Sequence, residues 1–466
     1  MSINATVLSI LVMAMGVSAT EPPPEPKRPG GPNIVVIVSD DAGYADFGFT
    51  GATDFHTPNL DALAASGAIC TQGYVTASVC SPSRAGLVTG RYQQRFGYEM
   101  NLLAGRPDYS ELGLPVEERT IAEDLQAVGY RTAALGKWHL GGGKPQHPMS
   151  RGFDSFYGYL AGSRSYWAYP EPKRLYSTIR GFDPADEPEG FYVTEDLGRE
   201  ASGIILQKAL KPFFIYLCFT AVHTPMHAQE EDLARYPDVK PNKRRKLAAM
   251  TWALDEAVGR IMETLEATGK RDNTLIFFIN DNGGATNNAS DNGVFRGMKG
   301  SKWEGGIRVP FLVSWPGHVP AGTVYSKPVS ALDIVATSLA AAGVTPERAL
   351  DGVDLIPYLD GSEKGAPHEY LFWRRGPAAA VRHGQWKLIR IDDGRVLLLD
   401  VENDPGETTD QAADHPEVVA QLQAALTKWE SGTVEMMWTG NKKYVQNQRD
   451  KHKMDVQGRD AERTLP

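Results

Sequence analysis

The feature that most constrains this chain is a set of short, unbroken apolar runs that lead straight into polar residues. Asn33-Ile34-Val35-Val36-Ile37-Val38-Ser39 exits into Asp40 and Asp41, Phe213–Phe219 leads to His223-Thr224-Pro225, and Thr274–Asn280 exits into Asp281-Asn282-Gly283-Gly284. Runs without polar alternation fit strands covered on both faces, as in a parallel sheet. Parallel neighbours need crossover helices, and the punctuation for these is present. Thr57-Pro58 opens a helix that stops at Gly67, and Thr120-Ile121-Ala122-Glu123 is a capping box before one that stops at Gly129. Leu247, Met250, Leu254, Val258, Ile261 and Leu265 share one face of a helix from about Lys246 to Thr268. Open α/β sheets bind ligands beyond the carboxyl ends of their strands, so the polar exits define one functional rim.

The texture changes past Phe311–Trp315, a further core strand, and a helix from Leu332 to Ala342 that ends at Gly343. Tyr370–Trp373, Ala378–Arg382, Trp386–Ile391 and Val396–Leu399 are short strands separated by turns, followed by a helix at about Pro416–Trp429. The expected architecture is therefore α/β, a mostly parallel central sheet flanked by helices, with a smaller C-terminal subdomain of antiparallel sheet plus helix. The boundaries read as a catalytic domain over 33–345, the subdomain over 346–432 and a polar surface tail over 433–466. Ahead of these, the apolar run Val7–Val17 and the small residues Val17-Ser18-Ala19 read as a signal peptide over 1–19, followed by a proline-rich linker over 20–32. Export to a periplasm or the exterior is expected. No run is long enough for stable membrane insertion. The net charge of −9 argues against nucleic acid as the main partner. With three cysteines there is no disulfide framework; Cys70 and Cys218 read as buried thiols, a bridge between them staying open.

Cys80-Ser81-Pro82-Ser83-Arg84 and Thr89-Gly90-Arg91 frame a short helix with Cys80 just before its N-terminus: Pro82 suits its first position and Gly90 a left-handed stop. Its N-terminus favours a negatively charged oxygen, and Arg84 in the first turn adds a fixed positive charge. Lys137-Trp138-His139 leaves a strand that follows Gly129-Tyr130-Arg131-Thr132, and Lys299-Gly300-Ser301-Lys302-Trp303-Glu304-Gly305-Gly306 follows the Asp281 exit. The aromatic-rich stretch Arg151–Gly190 reads as a binding loop, with Arg164, Tyr166 and Trp167 either as sugar contacts or packed beneath the loop, the commoner case for aromatics, and with His227 facing the same substrate. Asn288-Ala289-Ser290 is a glycosylation sequon if the host glycosylates.

These motifs, in this order, resemble the signatures of the type I sulfatases, from Asn33 to about Glu407. The resemblance implies the alkaline phosphatase-like fold. It also implies that Cys80 is oxidised to formylglycine by a formylglycine-generating enzyme, the aldehyde hydrate supplying the attacking oxygen. Asp40, Asp41, Asp281, Asn282 and the modified Cys80 would hold a metal; an all-oxygen set favours calcium or magnesium over zinc, and the resemblance implies calcium, one per chain, with magnesium the lesser choice. Arg84 and Lys137 would orient the nucleophile. His223, assisted by Lys299, would protonate the leaving alcohol, and His139 would take a proton from the second hydroxyl. The expected reaction is hydrolysis of sulfate esters, on a carbohydrate, releasing sulfate and an alcohol. The rival readings are a phosphonate monoester hydrolase or phosphatase on the same fold, and a non-catalytic sulfated-glycan binder if Cys80 is unmodified.

Overall fold

The computed structural model describes residues 30–454 except 107 and 441. The expected signal peptide, most of the linker and the last residues of the tail lie outside them.

A ten-stranded sheet divides the larger part of the molecule. Its five central strands run parallel in the order Thr274–Asn280, Asn33–Ser39, Phe213–Cys218, Arg131–Lys137, Ser155–Tyr159. Antiparallel strands flank them, Phe311–Ser314 on one side and Ile179–Arg180 with Asp183–Pro184 on the other. Ala68–Cys70 and Thr323–Tyr325 complete the Phe311 edge. Alternate side chains of one strand serve opposite faces: Ile34, Val36 and Val38 join one hydrophobic cluster, Val35 and Ile37 the other. Burial on both faces is why the runs show no polar alternation. Asn242–Ala267 and Val193–Leu206 cover one face through residues such as Leu254, Val258 and Leu197. Cys80–Thr89, Ile121–Ala127 and Asp333–Ala341 cover the other through Leu87, Leu125 and Ile334. Thr120 and Glu123 form the reciprocal capping box expected of them.

Two features of the sheet were hidden in the sequence. Ser155–Tyr159 is a strand inside a stretch expected to be irregular, its aromatic pattern interrupted by Gly158. Gly136 has φ of 86°, and a Cβ there would lie 2.0 Å from the Cys218 carbonyl oxygen, so the neighbouring strand closes on it only because it is glycine. Cys70 and Cys218 are both free and buried.

The smaller sheet is antiparallel, Leu371–Arg375, Ala378–His383, Trp386–Ile391 and Val396–Asp400 in chain order. Helix Pro416–Glu430 packs on one face through Leu422, Leu426 and Trp429. The other face, with Trp373, Ile389 and Leu399, closes over Tyr74, Trp303 and Ile307 of the larger part. A buried ion-pair cluster crosses this seam, Lys387 Nζ lying 2.8 Å from Glu304 and 2.5 Å from Glu407. Cutting one member of such a cluster leaves an uncompensated buried charge, so it fixes the seam more than it stabilises the fold.

The segment after Thr433, expected as a polar surface tail, is instead packed against the body as far as it is described. The Val434 and Met437 amides donate to the Gln94 and Gly97 carbonyls at 3.0 and 2.9 Å. Trp438 is buried edge-on against Tyr98, and helix Lys442–Asp450 delivers His452 to accept from the Lys302 amide at 2.9 Å. The anchors are single residues spaced among polar ones, so no periodic pattern marks them.

One ion pair gives a pH-dependent stability. The Asp333 carboxylate, at the start of its helix, accepts from the Ser330 and Val353 amides and pairs with His368 Nε2 at 2.7 Å. Burial lowers the His368 pKa, but Asp333 outweighs it and raises the imidazole above its ordinary 6.5. The charged pair therefore contributes stability fully below 6.5, and this is lost as pH rises through the raised folded value. His368→Gln is expected to reduce unfolding free energy by about 1.5–3 kcal/mol at pH 6. Denaturant titrations across pH will show the gap to wild type narrowing as pH rises; a gap independent of pH would contradict the assignment.

Candidate active site

Asp40 and Asp41 follow the Asn33 strand, and Asp281 and Asn282 follow its parallel neighbour in register, Ser39 pairing with Asn280. Register alone therefore sets the two pairs side by side. The Phe213 strand on the other flank leads to His223, and the strand beyond it ends at Lys137. Helix Cys80–Thr89 points its N-terminus at the same place, and all ten of its residues are buried; it starts at Cys80 itself, two residues before the proline expected to open it, because the extended Val79 takes the cap position. Gly90 ends it with φ of 67°, the left-handed stop expected.

Asp40, Asp41, Cys80, Arg84, Lys137, His223, Asp281, Asn282 and Lys299 meet there through direct contacts. The ligand atoms of Asp40, Asp41, Cys80 and His223 all lie within 4.8 Å of one another. Cys80 Sγ is 3.7 Å from Asp40 and 3.9 Å from Asp41. Lys137 Nζ donates to Asp40 Oδ2 at 2.5 Å, while Lys299 Nζ reaches Asp41 Oδ1 at 2.5 Å and Cys80 Sγ at 3.0 Å. Arg84 donates to Asp281 Oδ2 through Nε at 2.9 Å and to the Lys137 carbonyl through Nη1 at 3.1 Å, with Nη2 in ion-pair contact with Asp281 Oδ2 at 2.8 Å. Lys299 rather than Lys302 is the loop lysine that enters the site; Lys302 is buried elsewhere.

Three buried carboxylates this close impose their own electrostatics. Burial would raise Asp40, but Lys137 and then His223 hold it below the usual carboxylate range. Asp41 is likewise pushed up by burial and held well below that range by Lys299 and His223. Asp281 goes the other way: burial and the charge of Asp40 raise it against Arg84 and Lys137. Burial pushes the Cys80 thiol up to about 12, Asp281 adding to it and the two lysines opposing. Asp40, Asp41, Cys80 and His223 are a group that could hold a metal ion. Asn282 makes the same point with its amide: Nδ2 donates to Asp41 at 2.8 Å, while Oδ1 is buried with no hydrogen-bond partner. An amide oxygen shut from water beside carboxylates fits a hard cation, and the all-oxygen set fits calcium or magnesium.

The two histidine rings are turned opposite ways. His139 Nε2 lies 2.9 Å from the Leu102 carbonyl, which only accepts, so Nε2 carries the proton and Nδ1 the lone pair. Nδ1 is buried without a partner. Burial, reinforced by Lys137 and Arg84, holds this imidazole well below the ordinary histidine range. His223 is turned round: Nδ1 faces the Thr224 carbonyl at 2.5 Å, leaving Nε2 toward Asp41 at 3.4 Å. One ring is fixed as a proton acceptor, the other presents Nε2 to the centre.

The aromatic loop divides. Arg164, expected as a sugar contact, is 2% exposed and has each of its three side-chain nitrogens hydrogen-bonded. It pairs with Glu187 at 2.7 Å, donates to the Ser165 and Trp167 carbonyls, and bonds Thr178. It ties the loop together and offers nothing to a ligand. Tyr166 is also fully buried, its hydroxyl donating to the Thr220 and His223 carbonyls at 2.8 and 2.9 Å, so it supports the His223 turn from beneath. Trp167 packs on Tyr192 and is half-buried. His227 remains at the rim, partly exposed, 3.5 Å from Ser165 Oγ.

Several supporting residues gave no sequence signal. Asp41 has φ of 64°, and its carbonyl is held by Asn288 Nδ2 at 3.0 Å and Ser290 Oγ at 2.8 Å. The apparent sequon is thus part of the site: Asn288 is fully buried with its amide engaged, and the folded chain cannot carry a glycan there. Asn280 bridges Ser39 and Ala42, and Asn101 accepts from the Ser81 amide at the helix start. Motif spacing marks residues that meet a ligand; these meet backbone groups and neighbouring side chains of the protein instead.

Comparison with known proteins gives this geometry a setting. A family model described as Sulfatase matches residues 32–344, and a model of the N-sulphoglucosamine sulphohydrolase C-terminal region matches 298–432. N-acetylgalactosamine-6-sulfatase of Mus musculus is 32% identical over 409 residues, 82% of this chain and 75% of its own length. Arylsulfatase A of Bos taurus is 33% identical over 479 aligned positions, 90% of this chain and 89% of its own. The crystal structure of Ps i-CgsB with k-i-k-neocarrahexaose superposes with a TM-score of 0.82 at 35% identity, over 90% of this chain and 97% of that one.

Proposed function

Because the chain belongs to the type I sulfatase family and is a sulfuric ester hydrolase, we propose that it removes sulfate from a sulfated carbohydrate, using Cys80 as formylglycine beside one calcium ion. The observation that carries this reading is the convergence of Cys80 with Asp40, Asp41 and Lys299 at the mouth of a buried helix N-terminus. The sugar assignment draws on relatives whose names carry sugar sulfates and on the bound neocarrahexaose of Ps i-CgsB.

Oxidised to formylglycine, Cys80 would supply a hydrated aldehyde oxygen as the nucleophile toward sulfur. Calcium held by Asp40, Asp41, Asp281 and Asn282 would supply a fixed positive charge against the sulfate oxygens. The remaining work belongs to side chains whose places are already described. Arg84 and Lys137, locked on Asp281 and Asp40, keep positive charge beneath position 80. Lys299 spans Asp41 and Cys80 and sits where a sulfate oxygen would lie. His223 presents Nε2 toward the leaving oxygen, and His139 offers an unprotonated Nδ1 for the return proton transfer. Export, maturation by a formylglycine-generating enzyme and the signal peptide belong to the same proposal; no helix among the described residues is long and apolar enough to cross a membrane.

A phosphonate or phosphate ester hydrolase is the reading to exclude. Release of sulfate and of phosphate from matched aryl esters, measured on one preparation, will favour sulfate by orders of magnitude. Preference for the phosphorus esters would overturn the reaction class.

His227 tests the sugar assignment. His227→Ala is expected to raise KM for a sulfated sugar about tenfold and leave turnover of a small aryl sulfate unchanged. Arg164→Met is expected to do the opposite, lowering the melting temperature by leaving Glu187 buried and unpaired. Equal losses on both substrates for His227→Ala would place that residue in the catalytic machinery instead.

A further inference from the structure

The loop between the Asp281 exit and Lys299 carries a side chain that no step above uses, Asn288. It is fully buried, and its amide is engaged at both ends. Nδ2 donates to the Asp41 carbonyl at 3.0 Å and to the Val222 carbonyl at 3.2 Å, while Oδ1 accepts from the Ser290 amide at 3.1 Å. The two protons of one nitrogen thus reach two strand exits, one holding a proposed metal ligand and the other turning directly into His223. The Ser290 hydroxyl stands between Asn288 Oδ1 at 2.7 Å and the Asp41 carbonyl at 2.8 Å. On the far side of His223, Asn287 Nδ2 lies 3.5 Å from Thr224 Oγ1, and the Thr224 carbonyl is the partner of His223 Nδ1.

Both sides of this contact hold backbone that residues with a side chain rarely adopt. Asp41 has φ of 64° and Ala289 φ of 66°, the left-handed region that is costly for any residue but glycine. Such conformations persist where surrounding contacts over-determine them. The loop comes close enough to do so because two neighbouring positions are bare. A Cβ on Gly43 would lie 2.2 Å from the Asp291 carbonyl oxygen, and one on Gly284 2.6 Å from Ser290 Cβ. From the main chain the Asp41 carbonyl receives the Ala285 amide at 3.4 Å, so its short bonds are those from Asn288 and Ser290. That peptide orients the Asp41 carboxylate, whose Oδ1 meets Lys299 and whose Oδ2 faces His223 Nε2 at 3.4 Å.

Resting on the reading of Asp41 as a metal ligand and His223 as the acid, we propose that Asn288 is a positioning residue that fixes these two groups against each other. Cation binding and proton delivery to the leaving oxygen are then set by one buried amide. Leucine is similar in shape but donates nothing, and aspartate would turn an oxygen toward two carbonyls, so the place calls for an amide nitrogen.

Two readouts separate this role from general support of the fold. Across aryl sulfates ordered from good to poor leaving groups, Asn288→Leu is expected to lose about tenfold in kcat at the good end and about 10³-fold at the poor end, where departure depends on the proton. The rise in melting temperature that calcium gives wild type is expected to shrink by at least about half in the same variant. Ser290→Ala, which loses only the hydroxyl on the Asp41 carbonyl, should weaken the calcium response and lower kcat by one factor for every leaving group. Asn288→Ser, a smaller change, should show the same slope against leaving group as Asn288→Leu and carries the test if the leucine variant does not fold. A loss that is equal for all leaving groups in the Asn288 variants, or a calcium response equal to that of wild type, would overturn the coupling alone. Wild type with neither sulfate release nor a calcium response would overturn the sulfatase reading, and the coupling with it.

Discussion

Cys80→Ala protein will fold like wild type and lose sulfate-ester turnover by at least about 10⁴-fold. The side chain lies at the first residue of a wholly buried helix, so truncation removes one small group from a packed, capped element. Its neighbours, by contrast, are chemical: two carboxylates within 3.9 Å and the Lys299 ammonium at 3.0 Å. Cys80→Ser separates the oxidised nucleophile from a simple one. Serine keeps an oxygen but lacks the second hydroxyl of an aldehyde hydrate, so it gives His139 no proton to remove in the release step. Multiple turnover by the serine variant should therefore be as low as by the alanine variant. Substantial steady-state activity in either would remove Cys80 from the reaction.

The second large effect concerns the cation. Asp41→Ala is expected to reduce turnover about 10³-fold or more, because one substitution removes a proposed metal ligand and the partner of Lys299. Chelation of wild type should give a comparable loss, restored by calcium more effectively than by magnesium. An independent readout is melting temperature: calcium bound only by the folded chain must raise it by mass action, and the rise should vanish in Asp41→Ala. Full activity after chelation, with no calcium-dependent melting, would contradict the metal proposal.

How much of this was legible in the sequence follows from which residues answer to a repeating constraint. Burial on both faces forces an unbroken apolar run, so the Asn33, Phe213 and Thr274 strands announce themselves, and register then fixes where their exits meet. The Cys80 helix is equally legible, because a proline in its first turn and a left-handed glycine after its last are local necessities. Tertiary partnership leaves no such trace. Arg164 looks like a ligand contact among aromatics, and only Glu187, twenty-three residues on, shows that it is a tie within the loop. Asn288 reads as a sequon until its amide is found on the Asp41 carbonyl. The C-terminal segment reads as a polar tail because Trp438 and His452 are isolated anchors, each matched to a cavity rather than to a pattern.

The most direct test of the whole account is mass analysis of the Cys80 peptide from purified enzyme, paired with sulfate release by the same preparation. The account predicts that Cys80 is present as the aldehyde or its hydrate, and that specific activity rises in proportion to the modified fraction across preparations. Fully active enzyme carrying only unmodified cysteine would contradict it.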